Sequence, residues 1–167
     1  MDGPTLYEED VCAWAEQQAA ALRRLAASRR DLPNDLDWEN VAEEIDDVGR
    51  AQRRAAEGSI RQLFVHLIKH AVAPNARSKD HWRGEIARFQ NDLLADLTPS
   101  MPSRVDLGLL WKRAAREARA RLTEDELESS YAVRFWMQLK GCPFTFEDLS
   151  SENFDIDAAL SRVLEGT

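Results

Sequence analysis

The chain is poor in the residues that staple, anchor or catalyse. It has two cysteines in 167 residues, Cys12 and Cys142. They stand at opposite ends with no C-x-x-C partner, which argues against a cysteine zinc site or a disulfide framework and fits a reducing cytoplasm. Nowhere do eighteen apolar residues run together, and the opening MDGPTLYEEDVCAW lacks a basic segment followed by an apolar one. Neither a membrane span nor a secretion signal is expected. Period-2 alternation is missing, and no Asn-Gly or Asp-Gly turn joins two strand-like runs, so a sheet is not expected. Also absent are the G-x-S-x-G elbow, the phosphate-cradling glycine loops, the H-E-x-x-H zinc helix and the paired Glu-x-x-His of di-metal bundles. These absences leave an enzyme without a visible site.

What remains is helix. The composition is 44% hydrophobic and 31% charged with a net charge of −8, enough apolar material for one sizeable core. The negative balance disfavours attraction of the whole molecule to nucleic acid or an anionic membrane. Prolines and small polar residues at 31–37, 73–78, 97–103 and 141–144 punctuate four segments with three- and four-residue apolar steps. The first covers 5–29. The second, 38–72, opens with Asp37 as N-cap and acids suited to the positive helix end. Its apolar stripe turns between Val41–Val48 and Ile60–Leu67, so a bend or a close helix crossing is expected at Gly49 or Gly58. The third is marked by Trp82, Ile86, Phe89, Leu93 and Leu97, and the fourth follows Pro102. A fifth helix is expected over 124–139, followed by a tail of docking contacts or short helices. The reading is a single all-α domain, 1–167: an antiparallel bundle of four main helices plus a C-terminal extension holding the fifth. The five tryptophans fall one to each helical segment and suggest a shared aromatic core.

Three groups of polar residues invite function. His66 and His70 lie one turn apart, with His81 as a possible third ligand, a spacing zinc helices use. The helix rise of 1.5 Å per residue puts Glu44 roughly 33 Å from His66 along a straight helix. Two hydrogen-bonded histidines without metal are the preferred reading, and no cofactor is expected. Lys112, Arg113, Arg116 and Arg119 share the polar side of the fourth segment, a pattern that holds phosphates in some helical proteins. An ordinary solvated face is preferred, and nucleic acid is not the favoured partner. The run DWENVAEEIDDVGRAQRR offers acid-first pairs such as Asp46 or Asp47 with Arg50, and Glu57 with Arg61. It is denser in carboxylates than a helix dipole requires.

Five blocks together resemble the bacterial family known as domain of unknown function 29: LYEEDVCAWAEQQA at 6–19, LDWENVAEEIDDVGRAQRR at 36–54, HLIKH at 66–70, RSKDHWRGEI at 77–86 and CPFTFEDL at 142–149. The resemblance implies an all-α bacterial protein and brings no activity with it. His70 departs from the tryptophan the family tends to have there, so a two-histidine metal site would not be a family property. The segment 123–140 looks longer than its counterpart in the family. The expectation is a cytoplasmic protein working through protein contacts, as a regulatory or accessory partner rather than an enzyme. Its candidate polar network is Trp38, Glu39, Glu43, Glu44, Arg50, His66, Trp82 and Arg83. The alternative is a metal-assisted or nucleic-acid-directed enzyme or binder built on His66 and nearby acids.

Overall fold

The computed structural model describes residues 5–29, 33, 35–74 and 76–165. Among them there is no strand, and the all-α expectation holds. The helices are α1 (Leu6–Glu9), α2 (Val11–Ser28), α3 (Trp38–Val72), α4 (Lys79–Asp96), α5 (Leu107–Arg121), α6 (Glu124–Glu128), α7 (Ser130–Gln138), α8 (Phe146–Ser150) and α9 (Ile156–Glu165), with a 3-10 turn over Met101–Ser103. The long α3 is helical through both Gly49 and Gly58.

Two expected helices are each broken in two, for the same physical reason. At Asp10 the backbone leaves the helical region (φ −151°) and the carboxylate accepts the Ala13 amide, starting α2 afresh. At Ser129 the hydroxyl accepts the Ala132 amide and starts α7. Short polar side chains bond locally to amides and so compete with helix continuation. Before the second break, Thr123 and Glu126 form a reciprocal capping box that starts α6. Another between Thr145 and Asp148 starts α8.

The chain divides into two compact units, one of residues 1–55 and 96–105, the other of 56–95 and 106–167. In the first, α2 and the front half of α3 meet through small residues: Ala15, Ala19 and Ala42 are fully buried. A side chain on Gly49 would place its Cβ 3.1 Å from the Ala15 Cβ and 3.3 Å from the Cys12 carbonyl. The close crossing expected near a glycine is therefore at Gly49. Gly58 has open space around it.

The second unit holds the larger core. Ile60, Leu63, Phe64, Leu67 and Ile68 of α3 are fully buried, with Ile86 and Leu93 of α4, Ala114 of α5 and Leu149 of α8. Phe64 meets the Trp111 ring edge-on at 5.2 Å and stacks on Phe144 at 5.6 Å. Such aromatic pairs add roughly 0.5–1.5 kcal/mol beyond area burial. The shared tryptophan core is corrected. Only Trp82 and Trp111 are buried, and among the described residues no two tryptophan rings pair. Trp14 packs against Tyr7, Trp136 against Phe135, and Trp38 donates to the Pro33 carbonyl.

Candidate functional site

The dense carboxylates of α3 have their partners in the first unit. Arg23 on α2 reaches across to Glu39 (3.2 Å), Glu43 (3.3 Å) and Asp46 (2.7 Å). Arg50 takes Glu43 at 2.5 Å and Asp47 at 2.6 Å, with Asp46 at 4.0 Å. Asp46 raises the Arg23 guanidinium above its ordinary value, and Asp47 does the same for Arg50. Hydrogen bonding to Arg50 holds Asp47 below the usual carboxylate range. Two guanidiniums thus gather four acids into one lattice, because an arginine fork donates in several directions at once. Glu44 is exposed and makes no ion pair among the described residues. Trp38 sits at the start of the same helix, half-buried.

Beside this lattice is a cleft of about 270 Å³ lined by Cys12, Glu16, Asp46, Gly49, Arg50, Arg53 and Arg104. Cys12 is buried, and its thiol donates to the Gly49 carbonyl at 3.4 Å. Arg104 closes the rim by bonding Glu16 at 2.8 Å. Below it, Asp10 is 5% exposed and takes the amide and hydroxyl of Ser100 at 2.7 and 3.0 Å. Burial works against its ionisation, but the Ala13 and Ser100 donors outweigh it and keep the carboxyl below its ordinary value.

The other candidates belong to the second unit. His66 is 7% exposed and stacks on Phe89 at 5.8 Å. Its Nδ1 is buried with no hydrogen-bond partner. Burial, followed by repulsion from Lys69, lowers its pKa from 6.5 to about 4, against the opposing pull of Glu85. A neutral imidazole is what this setting holds at neutral pH. His70 is half-buried, its Nε2 likewise without a partner, and burial lowers its pKa as well. His81 is exposed. Among the described residues no three His, Cys, Asp or Glu side chains group as a metal ion would need. The Lys69 ammonium lies 4.5 Å from the Trp82 ring centroid. Arg83 clamps Asp157 of α9 through two bonds of 2.6 and 3.1 Å.

The expected network is therefore two arrangements. Glu39, Glu43 and Arg50 meet through the first unit's lattice, while His66, Trp82 and Arg83 each serve separate packing contacts in the second. Sequence reasoning missed Arg23, Asp10 and Asp157, whose partners lie 16 to 90 residues away. Only Asp10 carried a local signal, as an acidic cap ahead of an apolar helical run. The Asp46 and Asp47 pairs with Arg50 form as expected. Arg61 bonds Glu117 on α5, which Gln62 and Arg121 also hold.

A second surface in this unit did not stand out in the sequence. On α7, Met137 is 82% exposed and Val133, one turn earlier, 48%. They line a shallow hollow with Arg119, Leu127 and Trp136.

The helices and these charge clusters define an all-α protein with no catalytic constellation on view among the described residues. Residues 6–155 match the Domain of unknown function DUF29, and the chain belongs to that family. It is also similar to an alpha-helical protein of unknown function from Rhodospirillum rubrum, whose crystal structure was determined at 1.45 Å resolution. The two are 39% identical, the match covers 97% of this chain and 99% of the other, and the TM-score is 0.79. No curated protein matches the chain. No helix among the described residues is long and apolar enough to cross a membrane.

Proposed function

We propose that this protein is a protein-interaction module, an accessory or regulatory partner acting in the bacterial cytoplasm, and that the exposed side of α7 is its docking surface. The observation that carries this reading is the pairing of Met137 with Val133 on one outward helix face. A methionine is flexible and polarisable enough to fit a partner surface, and adjacent exposed apolar side chains beside a hollow are what a protein partner covers. Free Cys12 and Cys142 suit a reducing compartment. The metal-assisted alternative loses support because His66 lies in the core against Phe89.

Replacing Met137 with a photo-crosslinking p-benzoylphenylalanine and irradiating host cells tests the reading. A discrete protein adduct is expected from position 137 and none from a control at exposed Arg24. Irradiation that gives no adduct at 137 would end it.

A further inference from the structure

The long α3 ends at a cleft that shares no residue with the hollow beside Met137. Pro74 has no amide with which to extend the helical ladder, and the chain turns there, the Ala76 amide donating to the Ala73 carbonyl at 3.0 Å. Residues of this turn, of α6 and of the start of α7 enclose about 420 Å³, a size that suits a small molecule. One wall is apolar. Val72 and Ala73 are buried there, and Pro74 and Ala76 continue it. Tyr131 of α7, 43% exposed, lines the same space.

The charged side chains lining this cleft are of one sign. Asp125 and Glu126 of α6 both border it. Asp125 is exposed and makes no hydrogen bond or ion pair among the described residues. Glu126 directs one oxygen to the Thr123 amide and hydroxyl at 2.8 and 3.0 Å, and its other oxygen has no partner among the described residues. The C-terminal end of α3 adds the partial negative charge of a helix terminus. Two nearby cations are engaged elsewhere: the Lys69 ammonium lies 4.5 Å from the Trp82 ring centroid, and Arg121 bonds Glu117 and Gln62. Burial and Arg121 hold the Lys69 amine below its ordinary value, outweighing the pull of Glu126.

We propose that this cleft binds a small organic cation, an amine carried on an apolar body, with the body against Val72, Ala73 and Pro74 and the ammonium at Asp125 and Glu126. The apolar wall favours hydrocarbon, the two carboxylates favour positive charge, and an aromatic ring beside them favours the same cation. A phosphorylated or carboxylated molecule would meet both carboxylates and the negative end of α3, and is repelled. A bare metal ion is poorly served, since among the described residues no third His, Cys, Asp or Glu joins the pair. The assignment is independent of the reading of Met137 as a docking surface.

Calorimetric titration of the full chain with hexylammonium chloride at low salt tests this, with hexanol, sodium hexanoate and ammonium chloride as controls. Saturable binding is expected for hexylammonium, about tenfold tighter than for hexanol, and none for hexanoate or for ammonium alone. Asp125→Asn/Glu126→Gln should weaken hexylammonium by about tenfold with wild-type circular dichroism, because glutamine still accepts the Thr123 amide and keeps the start of α6. Ala76→Phe should fill the cleft and abolish binding, whereas Glu124→Gln, outside the cleft, should leave it unchanged. Hexanol binding as tightly as hexylammonium would reduce the site to an apolar hollow without charge selection and overturn the proposal. Hexylammonium that never saturates overturns it too, as does equal binding to the wild type, the double variant and Ala76→Phe.

Discussion

Gly49 and Gly58 occupy the same helix in the same conformation and differ only in what surrounds them. Around Gly58 there is open space, so Gly58→Ala gains helix propensity and should stabilise the protein by about 0.5–1 kcal/mol. At Gly49 a methyl would press on the Ala15 side chain and on the Cys12 backbone, neither of which can swing aside. Gly49→Ala should destabilise by about 1 kcal/mol net, overpacking outweighing the propensity gain. Thermal melts of the two variants should therefore move in opposite directions. His66 gives a residue-scale prediction in pH. Its folded-state pKa of about 4 lies below the 6.5 of the free group, so the unfolded chain binds its proton first. Its contribution is complete above pH 6.5, declines as the pH falls toward 4, and is then exhausted, a total of about 3 kcal/mol. Denaturation midpoints between pH 7 and 4 should drop in the wild type and be flatter in His66→Phe. An equal slope in both would assign the acid sensitivity to other groups.

Asp10 shows how one side chain sets an element boundary and ties down a distant turn. Its oxygens cap α2 through Ala13 and hold Ser100, ahead of the 3-10 turn, in the same buried spot. Asp10→Ala removes the cap and strands the Ser100 amide, at a cost of about 2 kcal/mol. Asp10→Asn should recover part of this, because its amide oxygen can still accept one of those bonds. Urea titrations of the two would separate loss of the cap from loss of charge. The elements themselves were largely legible in the sequence. The apolar steps of α3, α4 and α5 follow the 3.6-residue period closely enough to place each helix within a few residues. The break at Ser129 was not legible, and Asp10 offered only an acidic residue ahead of an apolar run, because the apolar period runs through both and the side-chain bond to a backbone amide decides which way the competition falls.

At the scale of the molecule, legibility declines with distance along the chain. Arg50 could be paired with Asp46 and Asp47 because helix geometry alone brings them together. Arg23 could not be assigned to Glu39, Glu43 and Asp46, since that requires knowing that α2 lies on α3. The same holds for Arg83 and Asp157, 74 residues apart. The α5 surface was half visible: its basic stripe could be read, but not that Met137 on α7 stands exposed beside a hollow that Arg119 also lines. Charge at this scale yields a final expectation. The sequence pI is about 5.0, and proteins associate non-specifically where their net charge vanishes. Light scattering against pH should show lowest solubility near pH 5. Lys112→Glu/Arg113→Glu adds roughly four negative charges and should shift that minimum to lower pH. At neutral pH the same variant should scatter less than the wild type, because its general repulsion is greater. A minimum that stayed near pH 5 in the variant would show that net charge does not set the solubility of this protein.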